Sequence, residues 1–187
     1  MPKSDRHALL ANPHVRLSGT VDQDMYNSFR TQLEVCPVTG PIVITITTLG
    51  GDPEVARVMG DDVRLLREQG GRDIMFLGKV AVYSAGATFM SSFPVDCRFM
   101  TDATRLMIHE RQMHTTVLVD GPLRSCVAVL KATLHQIEHS ILIEEEGFRA
   151  IVKGSKVDFE TMRDRAPENW YINCREALKL GLIHEVI

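Results

Sequence analysis

Apolar and polar residues follow two different periods along this chain, and together they predict alternating strands and helices. Ile42–Thr48 predicts the clearest strand, because β-branched residues follow one another there. Shorter apolar runs predict further strands at His14–Leu17, Ile74–Leu77, Cys97–Met100, Arg105–Ile108 and Leu182–Ile187. The order strand–helix–strand–helix–strand indicates an α/β domain with largely parallel pairing.

Helix signals fill the intervals between these strands. Asp22–Leu33 places apolar residues one turn apart, and Ser84–Ser92 is a run of small and apolar residues. After the first glycine pair, Asp52 predicts an N-cap and Pro53 the first residue of a helix that ends at Gly70-Gly71. Two short C-terminal helices are predicted at Asp158–Arg163 and Arg175–Leu180.

A β-rich segment and a long helix interrupt this alternation. His114–Val119 predicts a protruding strand, and Gly121-Pro122 opens the long helix. Apolar residues spaced three and four apart form a narrow seam along that helix: Val127, Leu130, Leu134, Ile137 and Ile141. The seam fits packing against another subunit and packing on its own domain equally well.

Composition excludes several classes of function. The chain has 187 residues, of which 44% are hydrophobic and 24% charged, which suits one globular domain. A formal net charge of −3 gives no basic field for nucleic acid. No apolar stretch reaches the length of a membrane span and no signal peptide is recognisable, so we expect no membrane association and a cytoplasmic location.

The N-terminal segment, residues 1–14, is expected to be loosely ordered, and residues 15–187 to form the domain. The widely spaced cysteines Cys36, Cys97, Cys126 and Cys174 predict free thiols rather than disulfides or zinc ligands. His135 and His139 lie four apart on the long helix, but no third ligand accompanies them. We therefore expect no metal site.

Ser84 and His109 carry the strongest chemical signal. Ser84 follows an apolar run and precedes small residues, as a nucleophile does at a strand-to-helix turn. His109 ends the predicted strand Arg105–Ile108, where it could act as base. Gly50-Gly51 could present backbone N–H groups to an oxyanion. Each feature alone is more often structural, but their order along one chain suggests a serine hydrolase.

These residues lie in segments that resemble the proteolytic subunit of the Clp protease, the ClpP family, within the ClpP/crotonase group. The resemblance extends over residues 15–187. It rests on residues 16–22, the glycine-pair segment Ile44–Gly51, the nucleophile segment Gly78–Gly86, the histidine segment Arg105–His109 and the C-terminal segment Glu176–Ile183.

The resemblance implies a spiral of ββα units with a protruding strand–helix handle. It also implies a serine endopeptidase in which Ser84 is the nucleophile, His109 is the base, and the amides of Gly51, Ala85 and perhaps Gly50 bind the oxyanion. Substrates would be peptides or unfolded polypeptides, no cofactor would be needed, and the chain would form a homo-oligomer of stacked heptameric rings. The N-terminal segment is short for the family's axial loop, which leaves coupling to an unfoldase ATPase open.

Two other departures concern the site. Leu49 replaces the family's proline before the glycine pair, and the segment between Gly78 and Ser84 is about two residues longer. The family's third catalytic residue, an aspartate, falls on Asn169, which could orient His109 but not neutralise an imidazolium. Three hypotheses follow. Asn169 completes a weak triad, a nearby acid substitutes (Glu168, Asp164 or Asp158), or the chain is an inactive subunit with a structural or regulatory role in a ring.

Two rival enzyme classes share parts of this pattern. A crotonase-type acyl-CoA enzyme would use a similar oxyanion hole without needing Ser84 and His109. A relative of signal peptide peptidase A would use a Ser-Lys dyad, for which Lys79 is the available lysine. The pairing of Ser84 with His109 favours the ClpP interpretation over both.

Overall fold

The computed structural model describes residues 3–187, and a seven-stranded sheet lies at the centre of that part of the chain. The strands are β1 Val15–Ser18, β2 Ile42–Thr48, β3 Ile74–Tyr83, β4 Arg98–Met100, β5 Arg105–Ile108, β6 Trp170–Asn173 and β7 Glu185–Val186. The helices are α1 Lys3–Ala11, α2 Gln23–Glu34, α3 Pro53–Glu68, α4 Ala85–Ser91, α5 Leu123–Val152, α6 Phe159–Arg165 and α7 Cys174–Lys179.

The sheet is mostly parallel, as predicted. Its main path runs β1-β2-β3-β4-β7, and β5 pairs with β3 off this path. The one antiparallel pair among the described strands joins β5 to β6. β3 changes neighbour along its length, because Phe76–Gly78 pairs with β4 whereas Ala81–Tyr83 pairs with β5. The sheet therefore turns rather than continuing flat, which fits the expected spiral of ββα units.

A bulge in β3 produces this change of neighbour. Ile46 pairs with Gly78 and Thr48 pairs with Val82, so two steps along β2 correspond to four along β3. The two additional residues are those that lengthen the segment before Ser84. Val80, within the bulge, has φ of 59° and a side chain that is 63% exposed. The predicted strand Ile74–Leu77 thus continues through the bulge to Tyr83.

Both faces of the sheet are covered. The larger core lies between one face and helices α2, α3 and α4, with Phe29, Met59 and Phe89 fully buried. On the other face, Leu10 of α1 packs against Val43 and neighbouring apolar side chains. The segment expected to be loosely ordered is therefore a helix over Lys3–Ala11, because this second apolar face needs a cover.

The predicted helix starts are confirmed. The side chain of Asp52 accepts hydrogen bonds from the N–H groups of Glu54 and Val55, and Pro53 is the first residue of α3. Asp22 likewise caps α2 by accepting from the Met25 N–H. These caps matter for the site because α3 begins directly after Gly50-Gly51.

The protruding segment differs from the prediction. His114–Val119 is not a strand, since none of the described strands runs beside it to complete a ladder. Helix α5 follows as predicted, and its seam of five residues is between 40% and 52% exposed. The seam therefore does not pack on its own domain, which leaves packing against another subunit as the interpretation.

A buried arginine joins three parts of the fold. Arg98 is 2% exposed, and its guanidinium donates to the carbonyl oxygens of Phe93, Ile151, Leu182 and Ser91. Burial lowers the pKa of Arg98 to about 10, so the group stays charged at neutral pH. Its hydrogen bonds fix the end of α5 and the C-terminal segment beside α4.

The described residues contain no helix that is both long and apolar enough to cross a membrane. All four cysteines are free thiols, as predicted, and Cys174 is the buried one.

Replacing Val80 by glycine is expected to stabilise the fold. A β-branched residue in the left-handed region is strained, and its exposed side chain loses little packing on removal, so we expect a gain of about 1 kcal/mol. Urea unfolding at one protein concentration measures it. Val35→Gly, at an exposed position with φ of −97°, is the control and should destabilise. If Val80→Gly unfolded at a lower urea midpoint than the wild type, the proposed strain at Val80 would be contradicted.

Candidate active site

Four strand ends meet at one edge of the sheet and bring the candidate residues together. β2, β3 and β5 are parallel, so the segments that follow their carboxyl ends share an edge. Those segments carry Gly50-Gly51, Ser84 and His109. β6 runs antiparallel to β5, so the residue before its first position, Asn169, reaches the same edge.

Ser84 occupies a strained turn between β3 and α4. Its backbone has φ of 53° and ψ of −115°, in a region that residues with a side chain rarely adopt. The Ser84 N–H donates to the Met107 carbonyl, and the Ser84 carbonyl accepts from the N–H groups of Ala87 and Thr88. The turn therefore presents the hydroxyl at the edge while the strand on one side and the helix on the other hold the backbone.

Ser84 and His109 are in direct contact. Ser84 Oγ and His109 Nε2 lie 2.7 Å apart, with both side chains half-buried. The hydroxyl donates this hydrogen bond when Nδ1 carries the imidazole proton. A serine whose hydroxyl donates to a neutral imidazole is arranged for activation as a nucleophile.

The glycine pair lies against Ser84. A Cβ on Gly50 would come within 2.9 Å of Ser84 Cβ, and one on Gly51 within 2.3 Å of the Val21 carbonyl oxygen, so neither position accepts a side chain. Val21 and Gly51 form an isolated parallel β-bridge, in which the Val21 N–H donates to Gly50 O and the Asp52 N–H donates to Val21 O. The Gly51 N–H takes no part in this bridge and points away from Val21.

These contacts separate the three candidate oxyanion donors. Gly50 N–H already donates to Thr48 Oγ1 at 3.0 Å. The N–H groups of Gly51 and Ala85 donate to no other group of the described residues, and Ala85 is the first residue of α4. Gly51 and Ala85 are therefore the better pair of donors, and Gly50 serves the turn.

Asn169 lies opposite His109 without contacting it through a hydrogen bond. Ile108 pairs with Trp170, so one further step of the register sets Asn169 opposite His109. Asn169 is exposed, and no hydrogen bond among the described residues joins it to Nδ1 of His109. Its backbone is left-handed, with φ of 56°.

The alternative acids are engaged elsewhere or exposed. Asp158 caps α6 through the Thr161 N–H. Hydrogen bonding by the Thr161 side chain, and then by its N–H, lowers the pKa of Asp158. Asp164 pairs with Arg163, and Glu168 lies exposed beside Asn169. None of the three forms a hydrogen bond with His109 in the part of the chain that is described.

Other candidate chemistries find less support in this geometry. Lys79 lies on β3, where its carbonyl accepts from Thr47 Oγ1 of β2, and Ser84 Oγ is hydrogen-bonded to His109 rather than to this lysine. Among the side chains of residues 6–187, no group of three or more His, Cys, Asp or Glu is placed to hold a metal ion.

Comparison with known proteins identifies the family. The sequence pattern of the Clp protease family matches residues 3–187. This chain belongs to the Clp protease family. It is 25% identical over 186 residues to the ATP-dependent Clp protease proteolytic subunit 2 of Treponema pallidum, covering 95% of this chain and 83% of that protein.

The fold agrees with that membership. An Asn-to-Asp mutant of ClpP1 from Listeria monocytogenes superposes with a TM-score of 0.74 at 20% identity, covering 97% of this chain and 94% of that one. The ClpP-like α/β fold expected from the resemblance is thereby confirmed. Membership of the Clp protease family indicates a peptidase.

A groove of about 1260 Å³ opens beside Ser84 in this family member. Leu49, Gly51, Ala85 and His109 line it near the serine, and residues of α3 and α5 form its walls. Its volume exceeds the range of about 300–1,000 Å³ that is typical of small-molecule pockets.

Two groove residues escaped the sequence analysis. Glu144 of α5 accepts a short hydrogen bond from the Arg111 N–H, and the Arg111 side chain reaches Glu54 of α3. Burial raises the pKa of Glu144, while the Arg111 N–H bond opposes that rise. Neither residue belongs to a motif. Arg111 is far from both Glu54 and Glu144 in sequence, so no local pattern predicts that it contacts them.

Glu144→Gln is expected to be more stable than the wild type at neutral pH. The folded chain raises the pKa of Glu144, so ionising this carboxyl above its ordinary value of 4.5 costs folding free energy. Glutamine keeps an acceptor for the Arg111 N–H without ionising. In thermal melting between pH 4 and 8, the two proteins should have the same melting temperature at the acid end. The melting temperature of Glu144→Gln should then exceed that of the wild type by an increasing amount as the pH rises. The exposed Glu138→Gln on the same helix is the control, and a less stable Glu144→Gln at pH 7 would contradict the expectation.

Proposed function

We propose that this chain is a serine-type endopeptidase that cleaves peptides or unfolded polypeptide. The observation that carries the proposal is the 2.7 Å contact between Ser84 Oγ and His109 Nε2 at the side of the groove. Family membership supports the same class of reaction, and the paired donors at Gly51 and Ala85 supply the remaining requirement for acyl transfer.

The proposed reaction follows from this geometry. Ser84 Oγ attacks the carbonyl carbon of the scissile peptide bond as His109 Nε2 takes the hydroxyl proton. The N–H groups of Gly51 and Ala85 bind the oxygen that becomes negative. His109 then returns the proton to the leaving amine, and water repeats the sequence to release the acyl group from Ser84.

Asn169 is proposed as the residue that orients His109. It lies opposite His109 in the register of β5 and β6, so a rotation of its side chain can bring the amide oxygen toward Nδ1–H. An amide has no charge to stabilise the imidazolium, so the resting enzyme is expected to be slow.

We propose a ring-forming homo-oligomer, with stacked heptamers as the family's arrangement. The apolar seam of α5 supports an assembly, because five exposed apolar side chains on one face are unfavourable in water. Enclosure would limit substrates to short or unfolded chains. Coupling to an unfoldase ATPase and a cytoplasmic location stay predictions.

The second candidate is a catalytically weak or inactive ClpP-like subunit with a structural or regulatory role in a ring. The observation that favours it is the absence of any described hydrogen-bond partner for Nδ1 of His109. Without such a partner the imidazole tautomer is not held, and in trypsin-like enzymes the wrong tautomer costs about 10⁴ in turnover.

Labelling by a fluorophosphonate probe tests the activated serine directly. We expect the assembled wild type to be labelled, and Ser84→Ala and His109→Ala to lose the label, since one lacks the nucleophile and the other its base. Intact mass measurement gives the extent of labelling, and mass spectrometry of the digested protein gives its position. Lys79→Ala is the control and should be labelled like the wild type.

Two results would overturn this function. A folded, assembled wild type that takes no label would favour the inactive subunit. Loss of label in Lys79→Ala with retention in His109→Ala would favour a Ser-Lys dyad.

Replacing Asn169 tests whether a negative charge opposite His109 would increase the reactivity of Ser84. Asn169→Asp should increase the labelling rate at least tenfold, because a carboxylate opposite His109 stabilises the imidazolium. Asn169→Ala should lower it, whereas Glu168→Ala should leave it unchanged. A fall with Glu168→Ala and none with Asn169→Ala would assign the third position to Glu168 instead.

A further inference from the structure

The segment after His109 is held at a single residue. Between the end of β5 and the start of α5, residues 109–122 form no helix or strand. Among the described residues, the hydrogen bonds that join residues 110–120 to the rest of the fold all involve Arg111. The candidate base therefore lies two positions before the one anchor of an irregular segment.

Arg111 is anchored through both its backbone and its side chain. Its N–H donates to Glu144 of α5, and its Nη2 lies 2.8 Å from Oε1 of Glu54 in the first turn of α3. Glu54 is in turn held by Arg57, whose Nη1 lies 3.1 Å from the other carboxylate oxygen. Both partners of the Glu54–Arg111 ion pair thus have a second restraint, which fixes the geometry of the pair.

The ion pair connects the two loops that the proposed reaction must align. Glu54 follows Gly51 by three residues, and Arg111 follows His109 by two. Gly51 presents the oxyanion donor and His109 is the base, and both must act on one carbonyl group. Errors of about 1 Å in such placement can reduce turnover 10²-fold.

Global stability does not explain this pair well. The Glu54 side chain is 52% exposed and that of Arg111 25%, and exposed ion pairs contribute little to folding free energy. An equally short pair, Glu145–Arg149 at 2.8 Å, lies within α5 and joins no loops. It offers a matched comparison for the same chemistry without the connection.

We propose that Glu54 and Arg111 form a positioning pair that holds the His109 segment against the start of α3, so that the base and the oxyanion donor face the same carbonyl. This inference rests on the proposed serine peptidase function. Neither residue touches the reacting atoms, and each acts through the loop that carries its neighbour.

The test compares Glu54→Gln, Arg111→Gln and the double variant with Glu145→Gln as the matched control. Fluorophosphonate labelling gives the maximal inactivation rate and the probe affinity separately. We expect each single variant to lose about tenfold in the maximal rate with unchanged affinity, and the double variant to lose no more than a single one. Arg111→Lys should recover part of the rate, and Glu145→Gln should behave like the wild type.

Hydrogen exchange of residues 109–122 provides a readout that needs no activity. Faster exchange there in Glu54→Gln, but not in Glu145→Gln, is expected if the pair anchors the segment. Unchanged exchange, or labelling of Glu54→Gln at the wild-type rate, would overturn the positioning pair. A wild type that takes no label while exchange rises in Glu54→Gln would overturn the proposed function and retain the anchor.

Discussion

The left-handed turn at Ser84 is the constraint on which the site depends. A residue with a Cβ at φ of 53° is unfavourable, so the surrounding structure must hold it there. β5 supplies a carbonyl for the Ser84 N–H, and α4 supplies two N–H groups for the Ser84 carbonyl. Gly50 leaves room beside the side chain, where any Cβ would collide with it. The same contacts that hold the turn place the hydroxyl beside His109 and the glycine pair.

The bulge in β3 makes this arrangement possible. Before the bulge β3 lies between β2 and β4, and after it β3 lies between β2 and β5. Without the change of neighbour, Ser84 would follow a strand that has no contact with the one carrying His109. The exposed Val80 has an unfavourable backbone conformation within the bulge, at the point where β3 stops pairing with β4 and begins to pair with β5. The two residues that lengthen this segment are therefore part of how the site is built.

Local patterns in the sequence predict the parts of the site but not all of their connections. Ile42–Thr48, the Asp52 cap and the positions of Ser84 and His109 follow from short-range signals, because strand patterns and caps depend on neighbouring residues. β6 escaped prediction because its four residues pair only with a strand more than sixty positions earlier. His114–Val119 shows the opposite error, since a β-rich composition gives no strand without a partner. Helix α1 was missed because little besides Leu9 and Leu10 in it is apolar.

The asparagine at position 169 is not imposed by the backbone. Asn169 has a left-handed conformation, which asparagine and aspartate both tolerate better than most residues. It is exposed, so an ionised side chain there would incur little desolvation. The fold would therefore accept either residue, and the difference between them lies in the charge opposite His109. With an amide there, an imidazolium formed in the proposed reaction would have no carboxylate in contact, since Asp158 caps α6 and Asp164 pairs with Arg163. In the proposed mechanism, the alignment of His109 must then come from packing and from the segment that follows it, so the anchor at Arg111 would matter more here than beside an aspartate.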